Sequence, residues 1–319
     1  MELKKIAVTA KNDKCSILKD VCSLLESLHI EVIKPEYEPA CGAYAVKAAE
    51  MASSGDADGA IVIGSNGLDS AILGNKFASV RASLVSTPTT ARYTREHNAS
   101  NLLCLGADLI GPQKLLDIVK CWVNSDFIGG RHSISLGMIK DGELHQFGQD
   151  EPAAAVQTKR PIRHIYIGND HAGYEAKLQV LKILEARGIS YTDLGTASAD
   201  IVRYPYYAAR IAHAVLDGDA DAGIAICGTG IGISIAVNKF KGIRAALCND
   251  RTMARLAKEQ FDANVLCIGG KIVGAFELED IVNEWLSDSP RKPGEMLDVI
   301  SAVENMNMTH TSWRPANNV

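Results

Sequence analysis

A repeat at a spacing of 163 residues constrains this chain more than any other feature of it. Gly55-Asp56-Ala57-Asp58 returns as Gly218-Asp219-Ala220-Asp221, and Asn75-Lys76-Phe77 returns as Asn238-Lys239-Phe240. Cys104, Gly111 and Trp122 return as Cys267, Gly274 and Trp285, with no gap between any of these pairs. Near the start the spacing is 159, so that Ile6-Ala7-Val8 matches Ile165-Tyr166-Ile167. Self-similarity on this scale means one folding unit built twice. The length of 319 residues accommodates two such units. They are expected at 1–148 and 162–319, with 149–161 (QDEPAAAVQTKRP) as a linker. Just before the linker, Lys140-Asp141-Gly142-Glu143 within 135–147 reads as a hairpin turn.

In the second copy, short β-rich runs alternate with helical patterns. Strands are expected at 164–167, 190–194, 223–227, 244–247 and 265–268. Helices are expected at 177–187, 206–217, 231–239, 252–259 and 275–286. Strands separated by helices of this length imply right-handed βαβ units and a parallel sheet. The first copy has the same pattern. The expected architecture is therefore α/β: two tandem Rossmann-like, three-layer α/β/α domains, each with a five-stranded parallel sheet. The two are expected to pack as a pseudo-dimer. A further helix is expected at 295–305, lying over the other half, followed by a polar, frayed tail at 308–319.

Composition narrows the function classes. The net charge of −5 argues against a nucleic-acid binder, which needs a basic face. No run of 18 apolar residues suggests a membrane span, and the N-terminus lacks the apolar stretch of a signal peptide. The eight cysteines form no CxxC pair and no zinc-spaced cluster with histidine. They are expected to be reduced thiols in the cytoplasm.

Ligands of parallel sheets sit at the carboxyl ends of the strands. Three segments of the second copy fall there: Asp170-His171-Ala172-Gly173, Cys227-Gly228-Thr229-Gly230-Ile231-Gly232, and Asn249-Asp250. The glycine-rich turn lets backbone approach a ligand, and the helix it opens favours an anion. A thiol at that helix mouth is expected to have a lowered pKa and to act as nucleophile or general base. Equally, Cys227 can be a core cysteine and the glycines a tight turn. Asp170-His171 can be an acid–imidazole pair or a helix cap beside a surface histidine. A dinucleotide fingerprint is disfavoured, because Ile233 stands where its last glycine belongs.

Gly168-Asn169-Asp170-His171-Ala172-Gly173-Tyr174, Ile226–Gly232, Asn238-Lys239 and Gly242-Ile243-Arg244-Ala245-Ala246-Leu247 together resemble the ribose-5-phosphate isomerase B family. That family includes the A and B subunits of galactose-6-phosphate isomerase. The resemblance covers nearly all of each copy. It implies an enzyme that interconverts aldose and ketose phosphates through an enediol, with no metal and no cofactor. By the resemblance, Cys227 is the base that moves a proton between C1 and C2. Thr229 and the backbone N–H groups of the turn, with Gly228, Gly230 and Gly232, hold the enediolate. Asp170 contacts sugar hydroxyls and His171 helps to bind the phosphate.

The first copy departs from the pattern in a complementary way. Lys11-Asn12 stands in place of Asp170-His171, and Gly64-Ser65-Asn66 in place of Cys227-Gly228-Thr229. Yet Arg95-Glu96-His97-Asn98 resembles the family's ring-opening segment, whose counterpart here is Lys258-Glu259-Gln260-Phe261. Gly129-Gly130-Arg131-His132 resembles its phosphate-binding segment, whose counterpart Lys292-Pro293-Gly294-Glu295 is unrelated. Sites in the family's dimers are shared between subunits. The resemblance therefore implies one composite site per chain, with Asp170, His171, Cys227 and Thr229 from one half and His97, Asn98 and Arg131 from the other. The opposite pseudo-site is expected to be inactive.

The same split occurs between the A and B subunits of galactose-6-phosphate isomerase, so the chain resembles a fused A–B arrangement. Two departures bear on the substrate. Ser135 stands where the family carries a second phosphate-binding arginine, and Arg203 precedes Tyr204-Pro205 where pentose enzymes carry Asp. Arg203 either replaces the missing charge or is a solvated surface residue. A non-catalytic sugar-phosphate sensor is the rival reading. The expected partner is a small phosphosugar, with no nucleic acid and no membrane; the sequence leaves open a homodimer of the fused chain.

Overall fold

The computed structural model describes residues 2–11, 15–146, 161–288, 292–308 and 315. Almost all of the expected linker, Asn12, and most of the expected tail lie outside the described residues. The chain divides into two compact units, 1–136 and 137–319.

In the first unit β1 (Lys5–Ala10), β2 (Glu31–Ile33), β3 (Gly59–Gly64), β4 (Ala82–Leu84) and β5 (Leu102–Gly106) form one sheet in the order β2-β1-β3-β5-β4. Every pairing is parallel. Between and after the strands come α1 (Cys15–Ser27), α2 (Ala43–Ser54), α3 (Leu68–Gly74), α4 (Pro88–Asn98) and α5 (Pro112–Val123). The central strand β3 is buried at every residue, as strands covered by helices on both faces must be. Leu25, Leu103, Leu115, Ile118 and Trp122 belong to one apolar core on one side of the sheet, each fully buried.

The second unit repeats this plan. Its strands are β6 (His164–Asn169), β7 (Ser190–Asp193), β8 (Ala222–Cys227), β9 (Ala245–Leu247) and β10 (Val265–Gly269), in the order β7-β6-β8-β10-β9 and all parallel. Its helices are α7 (Tyr174–Ala186), α8 (Tyr204–Leu216), α9 (Ile231–Asn238), α10 (Arg251–Phe261), α11 (Ala275–Trp285) and α12 (Met296–Asn307). The expected elements of this copy are all present, with no end displaced by more than three residues. No helix among the described residues is long and apolar enough to cross a membrane.

The repeated residues have repeated structural tasks. Asp58 Oδ2 accepts the N–H groups of Lys4 and Lys5 at 2.9 Å, and Asp221 Oδ2 accepts those of Arg163 and His164 at 2.8 and 3.0 Å. Each aspartate thus caps the first strand of its unit. The Asn75 side chain bonds both backbone groups of Ala82, and the Asn238 side chain bonds both backbone groups of Ala245. Each asparagine pins the end of a helix to the edge strand that follows. Trp122 and Trp285 are fully buried.

One local expectation fails. The 135–147 segment is not a hairpin: α6 runs Arg131–Gln146 straight through Lys140-Asp141-Gly142-Glu143. Its buried positions Ser135, Ile139 and Gly142 recur at intervals of four and three, the period of a helix and not of a strand. Glu143 then pairs with the buried Lys239 at 2.8 Å, so the Asp-Gly dipeptide that suggests a turn is held inside a helix by tertiary contact. The helix expected near 295–305 is present as α12. Its Glu304 accepts the N–H of Gly242 at 3.0 Å, and Lys241 donates to the Met308 carbonyl at 3.1 Å, both within its own unit.

Candidate functional site

In each sheet the first strand is followed by one neighbour on its left and a later one on its right. The crevice this creates lies at the carboxyl ends, between β1 and β3 in one unit and between β6 and β8 in the other. In the second unit Asp170 follows β6 and Cys227 ends β8, so the order of strands brings them to the same crevice. The Asp170 N–H donates to the carbonyl of Ile226, the residue before Cys227, at 3.1 Å.

Asp170 also caps the single 3-10 turn His171–Gly173, its Oδ1 accepting from the N–H groups of Ala172 and Gly173 at 3.0 and 3.1 Å. The capping reading is therefore correct. His171 is half-buried, its Nδ1 lying 3.2 Å from the Val202 carbonyl and 3.3 Å from the Val202 N–H. The next residue, Arg203, precedes α8; its Nε is enclosed and has no hydrogen-bond partner. Asn169 is fully buried with its Oδ1 equally unpartnered, and its Nδ2 donates to the Asp170 carbonyl at 2.8 Å. Asn169 belongs to the motif that carries the resemblance, but nothing in its sequence position announces a buried, unpaired amide oxygen.

After Cys227 the chain turns sharply into α9. Gly230 has φ 75°, and a Cβ there would meet Leu247 and the Gly269 backbone at 2.5 and 2.8 Å. Only glycine fits. The turn delivers the N–H groups of Thr229, Gly230 and Ile233 toward the Cys227 sulfur. Thr229 Oγ1 accepts from the Ile231 N–H at 3.3 Å. The expected lowering of the Cys227 pKa is nevertheless wrong. The thiol is 4% exposed; burial first, and the negative charge of Asp170 second, push it up to about 12 against the three N–H donors. The third segment, Asn249-Asp250, has a structural role: Asp250 caps α10 by accepting the Met253 N–H at 2.8 Å.

The first unit holds the other group of expected residues together. His97 is on the last turn of α4, and its ring stacks on that of His132 with centroids 4.3 Å apart and planes 8° apart. Burial holds the His97 imidazole below its usual pKa; Glu96 opposes this, and the positive charges of Arg131 and Arg92 reinforce it. Gly129 and Gly130 both take left-handed φ values, 66° and 59°, which reverses the chain before α6 begins at Arg131. The Ile128 N–H bonds the Glu96 carbonyl at 3.1 Å and fixes that reversal beside His97. Asn98 is buried. Ser135 is buried too, a neutral hydroxyl at this position.

The crevice of the first unit is filled by its own side chains. Lys11 Nζ donates to Ser65 Oγ at 3.0 Å, and Asn66 Oδ1 accepts from the Leu68 N–H at 2.9 Å. Tyr44 OH donates to the buried Asp69, whose other oxygen accepts the Ser70 N–H at 2.7 Å. A Cβ at Gly64, the counterpart of Cys227, would meet Tyr44 Oη at 3.1 Å and Asp69 Oδ1 at 3.4 Å. By the 163-residue spacing Asp69 is the counterpart of Gly232. A carboxylate thus occupies the helix mouth that in the second unit remains glycine.

A tandem α/β protein with an acid, a thiol and converging backbone N–H groups at one strand-end crevice has the makings of a proton-transfer enzyme. The family model for Ribose/Galactose Isomerase matches residues 6–139 and again 165–298. The chain therefore belongs to the ribose/galactose isomerase family, in two copies. It is similar to ribose-5-phosphate isomerase B of Escherichia coli, 40% identical over 145 residues, covering 45% of this chain and 97% of the relative. It is also similar to galactose-6-phosphate isomerase subunit LacB of Clostridium acetobutylicum, 37% identical over 142 residues, covering 44% and 82%. A solved ribose-5-phosphate isomerase B from Clostridium thermocellum is 41% identical, covering 45% of this chain and 96% of the other, with a TM-score of 0.43.

Proposed function

We propose that this chain interconverts aldose and ketose forms of a phosphorylated sugar, of the ribose 5-phosphate or galactose 6-phosphate type, through an enediol and without a metal. The observation that carries the reading is the placement of Cys227 beside Asp170 in the second unit, with Thr229, Gly230 and Ile233 N–H groups converging on the sulfur. That arrangement suits a base working next to developing negative charge.

In the proposed reaction His97 opens the sugar ring by moving the proton between the anomeric hydroxyl and the ring oxygen. Asp170 then holds the sugar hydroxyls. The Cys227 thiolate takes the proton from the carbon beside the carbonyl. The C–H electron pair becomes the C1=C2 bond, and the charge passes to the carbonyl oxygen, where Thr229 and the turn at Gly228, Gly230 and Gly232 stabilise it. The thiol returns its proton to the other carbon as the hydroxyl proton crosses between O2 and O1. His171 and Arg131 bind the phosphate, Asn98 supports the His97 side, and Arg203 supplies the cation that Ser135 does not.

By the resemblance, His97, Asn98 and Arg131 of the first half and Asp170, His171, Cys227, Thr229 and Arg203 of the second are assigned to one composite working site per chain. Complementary loss supports this: the first half lacks the thiol and the second lacks the ring-opening histidine. Replacing Cys227→Ala tests the base. Solvent deuterium exchange at the sugar C2 is expected to fall by roughly a thousandfold while the phosphosugar still binds. Exchange at the unaltered rate overturns the assignment.

A further inference from the structure

Tyr93 stands four residues before His97 on α4, a spacing that places two side chains side by side on a helix. Its ring lies 5.3 Å from the imidazole, with 11° between the planes. His132, at the start of α6, stacks on that same imidazole. His97 is therefore the middle plate of a three-ring column drawn from two elements. The Arg92 guanidinium extends the column, 5.1 Å from the centre of the Tyr93 ring, and its Nε is 4.0 Å from Glu96 Oε1. Nothing in the packing of α4 demands an aromatic residue at 93: the side chain is half-buried, and the buried face of the helix is formed by Thr90, Ala91, Thr94, Arg95 and Asn98.

We propose that Tyr93 is a positioning residue: with His132 it clamps the His97 imidazole in one plane and shields it from water. The proposal rests on the assignment of His97 to ring opening. An imidazole on an uncovered helix surface samples several rotamers, and only one aims its nitrogen at a bound sugar. Fixing the plane beforehand removes that loss from the barrier. Shielding also disfavours the imidazolium, keeping a lone pair available to accept the anomeric proton. The charged and titratable groups facing the ring are Glu96 and Arg92 from α4 and Arg131 and His132 from α6. Of the three charged side chains, only Glu96 favours the protonated form.

The test compares the full-length chain with Tyr93→Ala and Tyr93→Phe, using histidine labelled with 13C at Cε1 and His97→Asn to assign the resonance. In Tyr93→Ala the His97 Cε1 proton is expected to lose its ring-current shift and its titration midpoint to rise toward that of free imidazole. The acid limb of kcat/KM for the phosphosugar moves to higher pH with it, and kcat/KM falls by roughly tenfold or more. Tyr93→Phe keeps the stack and restores both. A resonance and midpoint unchanged in Tyr93→Ala overturn the clamp, as does a loss of activity with no movement of the acid limb. If the resonance and midpoint move as expected but His97→Asn turns over ring-form sugars normally, the clamp stands and the ring-opening assignment falls.

Discussion

At Cys227 two opposing influences meet in one thiol. Three backbone N–H groups favour the thiolate; burial and the neighbouring Asp170 charge disfavour it, and these win, pushing the thiol up to about 12. The thiol is therefore the dominant form in the free chain at neutral pH. The proposed mechanism works through the thiolate, whose fraction increases with pH below that value. kcat/KM is therefore expected to climb across the alkaline range, and a plateau reached by pH 8 contradicts the assigned base. Removing the Asp170 charge relieves one of the two opposing causes. In Asp170→Asn the alkylation of Cys227 by iodoacetamide, followed by mass spectrometry, is expected to begin at lower pH than in the unaltered chain; an onset at the same pH contradicts the coupling. The sequence announces the helix mouth through Cys-Gly-Thr-Gly, which is why a lowered pKa looks reasonable from it. The burial that reverses the sign is written less plainly, in the wholly buried run AGIAIC that ends at Cys227.

Helices and strands carry the repeat through a few polar side chains. Asn238 holds both backbone groups of Ala245 with bonds of 2.8 and 2.9 Å. Asn238→Ala leaves both without that partner and is expected to cost about 2 kcal/mol, read by chemical denaturation; a cost near zero would mean the pin is dispensable. Element positions in the second copy are legible because short β-rich runs alternate with amphipathic ones. The 131–146 helix is not, because its Asp-Gly signal is local while the evidence for a helix is the burial of Ser135, Ile139 and Gly142 and the Glu143–Lys239 pair, which are tertiary facts. His97 and Arg131 come together for a related reason: the reversal at Gly129-Gly130 is visible in the sequence, its attachment to Glu96 is not. Tyr93 had a readable signal, its spacing of four from His97, and was missed because an aromatic residue on a helix usually belongs to a core.

Over the whole molecule, duplication followed by complementary loss predicts a stoichiometry. The first crevice is lined by Tyr44, Asp69 and Ser65 with Lys11, and a side chain at Gly64 would press on Tyr44 and Asp69. Calorimetric titration with an unreactive sugar-acid phosphate is expected to give one molecule bound per chain; two would contradict the single composite site. Gly64→Cys is expected to add no activity, since the new side chain would crowd Tyr44 and Asp69 and face the Asp69 carboxylate.

The central claim is that residues from the two halves act in succession on one substrate. It is tested most directly by His97→Asn assayed on two aldose phosphates: a pentose or hexose phosphate that closes a ring, and a four-carbon 4-phosphate that has no free hydroxyl with which to do so. The account predicts a loss of roughly a hundredfold on the ring-forming sugar and unaltered deuterium exchange at C2 of the open-chain one. Equal rates for the variant and the unaltered chain on the ring-forming sugar would contradict it.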